Sequence, residues 1–353
     1  MTTVVLSAGG LFLLVDRGDG TADRPGGQAK PAPVALGNNE PIMMAPDATS
    51  ASISITLSQA AYPDGSADAA ILTRDDTWAY AIATGGIQGV LGGPLLLTSS
   101  ERLSPGILDE LRRVGAEKVY LMGSETALAP AVARVLTGAG YQVERIGGAN
   151  PIETSLAAAQ RLMPGAQTAV LLGGGRTLPN DRGRGAVDAL AAGSWAAMHD
   201  VPVLLTDPFT LSSATREYIR RSRITDVVIV GGTMAVAAPV KEELERLGVR
   251  VERVGGENRY DTAAQLVELW GAHNGFLLID GSTERLSAAG FAAAAYSMRA
   301  NAPVLLANSG SLPPETGRML NGLRQPVQLI CAPGVEKDPC MTAQELSLAI
   351  RGG

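Results

Sequence analysis

Three arginines and an aspartate beside a Gly run are the strongest candidates for chemistry in this sequence of 353 residues. Gly173-Gly174-Gly175 follows a continuous apolar run, and after it come Arg176, Arg182, Arg184 and Asp188. A guanidinium group grips a carboxylate or phosphate with two parallel hydrogen bonds, so three of them on one loop could hold an anionic ligand. The alternative is a solvated loop, with Asp188 capping or positioning the start of the next helix.

Other chemistry finds little support in the residue types. The Gly run is followed neither by the Gly-Lys-Ser/Thr of a phosphate-binding loop nor by the acidic residue that marks a dinucleotide site. The two histidines, His199 and His273, have no nucleophile motif beside them. Two His and two Cys are too few for a His-rich metal site or a zinc ribbon. We therefore predict no enzymatic activity, no metal and no cofactor. The less favoured alternative is a hydrolase with its site at the strand ends of the middle unit, residues 149–256.

Composition narrows the possible partners. The chain carries 29 Lys and Arg against 35 Asp and Glu, a net charge of −6, which argues against nucleic acid as a partner. Aromatic residues make up 4%, so a stacked aromatic platform for sugars is not expected, and Trp78, Trp195 and Trp270 are better explained as packing residues. An anion must therefore be bound by a local arginine cluster rather than by the field of the whole molecule.

The sequence repeats itself with a period of about a hundred residues, which is the feature that organises the rest. Four landmarks of one segment recur 108 positions later: a Pro-aliphatic-Leu-Leu-Thr strand, Leu-Ser, an Arg pair and Glu-Arg-aliphatic-Gly-Gly. A third copy follows at an offset of 101, where Pro303-Val304-Leu305-Leu306 matches Pro202-Val203-Leu204-Leu205. We place the first repeat at 49–148, the second at 149–256 and the third at 257–353.

Each repeat alternates helices with short apolar strands. In the second repeat, 168–172, 201–205 and 227–230 are continuous apolar runs, the pattern of strands buried on both faces. Helical stretches of about ten residues separate them, among them an Ala-rich helix predicted at 187–199. Strands that alternate with helices predict parallel β-α-β units with right-handed crossovers. Each repeat is thus expected to be a small three-layer α/β domain.

These motifs resemble the type 2 cell wall binding repeat of Gram-positive surface proteins. That repeat opens with Arg-x-x-Gly-x-x-Arg-Tyr-x-Thr-Ala, has Asp-Ala-Leu on a helix and ends a strand in Gly-Gly. Here the opening is carried by Arg253, Gly256, Arg259, Tyr260, Thr262 and Ala263, and the other two signatures by Asp188-Ala189-Leu190 and Gly231-Gly232. The first repeat has Tyr80-Ala81-Ile82 in place of Asp-Ala-Leu. In the third repeat, the strand that would end in Gly-Gly is followed by Ala332-Pro333 after Cys331. The second repeat alone keeps both signatures.

The resemblance implies a fold and a function. It implies three Rossmann-like α/β modules with parallel sheets, arranged as a pseudo-threefold trimer. It also implies a non-catalytic protein of the cell envelope that binds a cell wall polysaccharide or an envelope protein. From the residues of the second repeat, we predict that Arg176, Arg182, Arg184 and Asp188 bind the ligand. The alternative is a structural subunit of a surface assembly, in which the divergent repeats make protein–protein contacts.

The N-terminal 48 residues differ from the repeats. Residues 2–15 form an apolar run that is too short to span a bilayer and is interpreted as the remnant of an export signal or membrane tether, or else as a strand or tail. The N-terminal arm, 18–46, is rich in Gly and Pro and is predicted to be a linker. We expect an extracellular location, at the cell wall or the outer face of the membrane. Such a location would suit a Cys331–Cys340 disulfide, and a buried free thiol at Cys331 is the alternative.

Overall fold

The computed structural model describes residues 3–6, 12–15, 32–36, 42–43, 47–174, 184–281, 287–308, 312–320 and 327–331. Three short strands precede the repeats: β1 (Thr3–Leu6), β2 (Phe12–Val15) and β3 (Ile42–Met43). β1 and β2 pair as an antiparallel hairpin, so the first apolar run contains two strands. Within the described residues, no helix is long and apolar enough to cross a membrane.

The elements of the repeats follow one another in the same order. The first repeat contains α1 (Ser50–Ala61), β4 (Ala69–Arg74), α2 (Ala79–Ile82), α3 (Gly85–Leu91), β5 (Leu95–Thr98), α4 (Ile107–Val114), β6 (Lys118–Met122), α5 (Pro130–Gly138) and β7 (Gln142–Ile146). The second contains α6 (Pro151–Leu162), β8 (Thr168–Gly173), α7 (Arg184–His199), β9 (Val203–Thr206), α8 (Ser213–Arg221), β10 (Asp226–Val230), α9 (Ala238–Arg246) and β11 (Arg250–Val254). The third contains α10 (Arg259–Glu268), β12 (Phe276–Asp280), α11 (Ser287–Ala300), β13 (Val304–Ala307), α12 (Pro314–Leu320) and β14 (Val327–Cys331).

Each repeat forms the main part of one parallel four-stranded sheet. The orders are β5-β4-β6-β7, β9-β8-β10-β11 and β13-β12-β14-β3, so the three sheets share one topology. Both faces are covered, as the continuous apolar runs predict: Ala169 and Leu171 face one hydrophobic cluster, whereas Val170 and Leu172 face another. The predicted architecture of three α/β modules with parallel sheets is confirmed.

The three repeats meet at one helix from each, the helix that directly precedes the second strand of that repeat. α3, α7 and α11 pack on one another in pairs, and the core cluster that they enclose has residues from all three repeats. α3 and α7 approach closely, because a Cβ added at Gly89 would lie 2.2 Å from the carbonyl oxygen of Ala197. The buried Gln88 side chain reaches from α3 to α11, where it accepts from Ala295 N (3.1 Å) and donates to Phe291 O (2.9 Å). This arrangement provides the pseudo-threefold axis.

The third sheet takes its fourth strand from the N-terminal arm. β3 pairs in parallel with β14, in the register Ile42↔Ile330 and Met43↔Cys331. In the other two sheets the corresponding strand, β7 or β11, follows its neighbour along the chain after one helix. The composition predicts only a linker here, because two residues are too short to show a strand pattern among so many Gly and Pro. The arm therefore belongs in part to the fold.

Candidate functional site

The predicted ligand-binding residues lie at the start of α7 and in the segment before it. Arg176 and Arg182 are outside the described residues, whereas Arg184 and Asp188 lie on the described backbone of α7. α7 begins at Arg184, three residues earlier than the predicted start. The prediction misses Arg184 to Ala186 because these residues have no apolar pattern of their own. Asp188 is thus one turn inside the helix, and its interpretation as a helix cap is wrong.

The segments that follow the strands of the second sheet converge at its carboxyl edge, the edge where the parallel strands end. Gly174 N, just after β8, donates to Thr206 O at the end of β9 (2.8 Å), and Ala237 N, beyond β10, donates to Pro208 O (2.7 Å). A Cβ added at Gly173 would lie 2.1 Å from Ala235 O, so only glycine allows this approach. The Gly run predicted as a ligand loop therefore begins with a packing role.

A tight turn at this edge presents an apolar side chain to solvent. The Thr206 hydroxyl accepts from Ser212 N (2.9 Å) and donates to Thr210 O (3.3 Å). The Asp207 carboxylate accepts from the backbone N–H of Phe209 at 2.9 Å. These bonds fix the turn that projects the Phe209 ring, which is 55% exposed.

Met234, which follows β10, is 81% exposed, so the carboxyl edge of the second sheet has two exposed large apolar residues. They come from segments in mutual contact, since Phe209 is next to Pro208 and Met234 is next to Ala235. Sequence reasoning missed both. The available signal was the comparison of repeats, because the positions 108 residues earlier hold Glu101 and Thr126.

At the same edge of the first sheet, two charged residues pair with each other. Arg74 Nε donates to Asp76 Oδ1 at 2.5 Å, and this bond, the largest cause, raises the pKa of the guanidinium while lowering that of the carboxyl. The neighbouring Asp75 is partly buried, and burial raises the pKa of its carboxyl. Arg74 is thus paired within the first repeat, whereas the candidate ligand-binding arginines belong to the second repeat.

The residues that define the repeat's opening motif hold the junctions between repeats. Arg253 donates to the carbonyl oxygens of Gly231 (2.7 Å), Gly232 (3.2 Å) and Val236 (2.7 Å), and burial lowers the pKa of its guanidinium. Arg145 makes the matching bonds to Gly123 and Ser124 at the first junction, both at 3.0 Å. A guanidinium group that donates to several backbone carbonyl oxygens stabilises the turn, and those donors are then not available to a ligand.

The Gly-Gly pairs at the two junctions have the same structural purpose. A Cβ added at Gly255 would lie 2.4 Å from the carbonyl carbon of Gly231. Gly256 N donates to the Thr262 hydroxyl (3.2 Å), and Asn258 caps α10 by accepting from Tyr260 N and Asp261 N. The recurrence of this motif within the chain is therefore explained by architecture rather than by ligand binding.

The remaining candidates for chemistry are packing residues or lie outside the described chain. His199 stacks on Trp195 with ring centroids 4.4 Å apart, and His273 lies against Phe276 at 4.5 Å. Trp195 and Trp270 are 1% exposed, as their interpretation as packing residues predicts. Among the described residues no group of His, Cys, Asp and Glu is arranged to hold a metal. Cys340 lies outside the described residues, so the Cys331–Cys340 bond stays a prediction.

Three equivalent parallel sheets, joined through Arg-and-Gly junctions around a helical centre, define a ring of tandem α/β repeats. The family is the one described as cell wall binding domain 2 (CWB2): residues 145–241 and 253–330 match it. The second and third repeats thus belong to the CWB2 family.

Two curated relatives are from Bacillus subtilis. The N-acetylmuramoyl-L-alanine amidase LytC is 30% identical over 174 residues, which are 49% of this chain and 33% of the relative. The amidase enhancer is 27% identical over 191 residues, or 54% of this chain and 25% of the relative. The chain thus spans a third or less of the length of these two proteins.

Two solved structures share the fold over most of the chain. Cwp8 from Clostridium difficile is 24% identical with a TM-score of 0.74, covering 88% of this chain and 51% of that one. Cwp6 from the same organism is 17% identical with a TM-score of 0.75, covering 90% and 48%. At these identities the likeness establishes the fold of the three repeats.

Proposed function

We propose that this protein is a non-catalytic cell-envelope protein that binds an anionic cell wall polymer at the carboxyl edge of the second sheet. The observation that carries the proposal is the match of the second and third repeats to the cell wall binding domain family. An extracellular location, at the wall or the outer face of the membrane, follows from this function.

The second repeat is the best candidate for the binding face. Open parallel α/β sheets bind ligands at the carboxyl ends of their strands. This edge has the exposed Phe209 and Met234, and the segment from Gly174 to α7 that bears the candidate arginines starts there. At the corresponding edge of the first sheet, the positions equivalent to Phe209 and Met234 hold the polar residues Glu101 and Thr126, and Arg74 forms an ion pair with Asp76.

Each candidate residue has a role suited to an anionic polysaccharide. Arg176, Arg182 and Arg184 would bind phosphate or carboxylate groups in bidentate fashion. Asp188 would accept hydrogen bonds from sugar hydroxyl groups. Phe209 would cover the apolar face of a sugar ring, which is a contact that an exposed aromatic ring can make without a larger platform.

The test is a titration of purified wall-polymer fragments against the wild type and a variant in which Arg176, Arg182 and Arg184 are all replaced by Ala. We expect a loss of about 1–3 kcal/mol per well-made charge-assisted contact, with an unchanged unfolding temperature. The matched control replaces the exposed Arg134, Arg246 and Arg318 with Ala, which changes the net charge equally and should leave affinity unchanged. Equal affinity for wild type and the first variant would place the site elsewhere.

The second candidate function is a structural subunit that uses this edge for protein–protein contacts. The exposed Phe209 and Met234 favour it, because exposed apolar side chains at one edge of a sheet are typical of contact surfaces. Replacing them with the residues of the first repeat, Phe209→Glu and Met234→Thr, tests it with side chains that the same fold already accommodates. Loss of a co-purifying protein from wall fractions, without loss of polymer affinity, would favour the assembly function.

A further inference from the structure

The N-terminal arm and the third repeat are held together by non-covalent contacts between parts of the chain that are far apart in sequence. β7 and β11 each pair with their neighbours over five residues and are tied to them by a short helical connection. β3 pairs with β14 over two residues only, and its partner lies almost at the other end of the described chain. Its place in the sheet thus depends on docking rather than on local connectivity.

The third repeat has a built receptor for the arm. Arg299, on α11, donates from Nε (3.1 Å) and Nη2 (2.9 Å) to Ala32 O, and its own carbonyl accepts from Val34 N at 3.0 Å. The apolar side chains of Val34, Leu36 and Ile42 pack against the central core. The arm is therefore bound at two places on one repeat, by α11 and by β14.

Part of this receptor comes from the first repeat. The guanidinium of Arg299 lies over the Tyr62 ring, 4.5 Å from its centroid, and both residues are buried, at 4% and 0% exposure. Burial is the main reason why the pKa of Arg299 is lowered and that of Tyr62 is raised. A buried guanidinium that binds carbonyl oxygens and a ring offsets less of its desolvation cost than one that binds a carboxylate. Such a contact is specific, and it is also reversible.

We propose that the N-terminal arm is a donor strand that can leave its own third repeat and dock on that of a second copy. The second copy is the fitting partner because its arm carries the same residues, 32–36 and 42–43, for which the receptor is built. Exchange of an identical element between copies costs little, since every contact of the closed form is made again. A strand added to a sheet edge in this way supplies both backbone hydrogen bonds and register.

Concentration decides between the two forms. In the single chain, the folded first repeat holds the arm near its receptor at an effective concentration in the millimolar range. The exchanged dimer is therefore expected at high protein concentration, for example where many copies crowd on one surface, and after transient release of the arm. This inference does not depend on polymer binding.

The register of β3 provides the probe. Met43 is the register partner of Cys331 across the two strands, so Met43→Cys in a Cys340→Ser background puts cysteines at a pair of facing backbone positions. Unlabelled and ¹⁵N-labelled chains are mixed at about 1 mM, taken through mild denaturant and back, and then oxidised. We expect a dimer on a non-reducing gel, and disulfide-linked peptides that join position 43 of one isotope to Cys331 of the other.

The controls separate exchange from random oxidation and from misfolding. Gln59→Cys in the same background puts the new thiol on the exposed face of α1 and should give no mixed-isotope link to Cys331. Should Met43→Cys fail to fold when reduced, the other register pair, Ile42→Cys with Ile330→Cys and both native cysteines replaced by Ser, repeats the test. A link between positions 43 and 331 found only within chains of one isotope, at every concentration, would overturn the proposal.

Discussion

At the scale of single residues, two equivalent glutamates show how divergence between repeats changes a side chain's energetics. Glu144, on β7, binds Lys118 Nζ (2.6 Å) and Arg161 Nε (2.7 Å). Burial alone would raise its pKa, but these hydrogen bonds outweigh burial and lower it. Glu252 lies 108 positions later on β11, where the two cation positions have become Asp226 and Leu269.

The carboxyl group of Glu252 has lost the environment that favours its charge. Its Oε2 atom is buried and has no hydrogen-bond partner among the residues that the structure describes. Burial raises the pKa of this carboxyl above its ordinary value. As pH rises through the unfolded and then the folded pKa, the folded state binds the proton more tightly than the unfolded one, so stability falls.

Glu252→Gln should therefore stabilise the protein at neutral pH. We expect a gain of a few tenths to about 1 kcal/mol at pH 7, which vanishes below about pH 4, where the glutamate is protonated in both states. The measurement is thermal unfolding of the wild type and the variant from pH 3 to pH 8. A difference in unfolding temperature that does not change with pH would contradict this account.

Glu144→Gln is the matched control, with the opposite sign. The folded pKa of Glu144 is lowered, so its stabilising effect is present above the unfolded pKa and is lost as pH falls through the folded pKa. This variant should be less stable than the wild type at pH 7, by about 0.5–1 kcal/mol for a part-exposed pair, and equal to it in acid. Two variants that shift in the same direction at pH 7 would contradict the comparison.

At the scale of elements, the packing of α3 on α7 decides how close the repeats can come. Gly89→Ala would improve the helix propensity of α3, but its Cβ would lie 2.2 Å from Ala197 O. Because that neighbour is backbone, the helices must separate, and we expect a loss of about 2–4 kcal/mol. Chemical denaturation measures it.

Gly138→Ala, at the end of α5, is the control for this substitution. A Cβ there meets nothing within 4 Å, so only the propensity term applies and the variant should gain up to about 1 kcal/mol. If both variants are destabilised alike, helix crowding at Gly89 is not the cause.

The strands were predictable from sequence, whereas their partners at the edge were not. Runs such as 168–172 and 227–230 are almost entirely apolar and only four or five residues long, which is typical of a strand covered on both faces. The sequence predicts too late a start for α7, because its first three residues, Arg-Gly-Ala, have no apolar periodicity. Ile42 and Met43 give no periodic signal, since their strand is defined by the sheet edge that receives them.

The candidate site was predictable only in outline. The Gly run at 173–175 stands out in the sequence, and the structure explains its first residue by close approach to Ala235, whereas ligand binding by this segment stays a prediction. Phe209 and Met234 escaped notice because single apolar residues in loops carry no pattern. The Arg253 motif identified the family, yet its contacts are those of a junction, which only coordinates could reveal.

At the scale of the whole molecule, the N-terminal arm connects distant parts of the chain, because it precedes the first repeat and completes the third sheet. Deleting residues 1–46 removes β3 and the segment bound by Arg299, and it leaves that guanidinium without its Ala32 carbonyl partner. We expect the unfolding temperature to fall and the third repeat to lose amide protection from hydrogen exchange before the other two. Differential scanning calorimetry and hydrogen-exchange mass spectrometry measure the two effects.

Deleting residues 1–31 is the control for this truncation. It removes β1 and β2, which form a separate two-stranded sheet, and leaves the bound arm in place. This shorter deletion should keep the wild-type unfolding temperature and the protection of β14. If both deletions behave like the wild type, the arm does not stabilise the third repeat.

The pairing of β3 with β14 also bears on the order in which the molecule is made. Ile42 and Ile330 are 288 residues apart, so β3 is synthesised well before β14, its partner in the sheet. The first and second sheets contain their strands in one stretch of chain and can fold as synthesis proceeds. The third sheet has to wait for a contact of very high sequence separation, which is slow to form. Of the three sheets, the third is therefore expected to be completed last, when β3 of the arm pairs with β14.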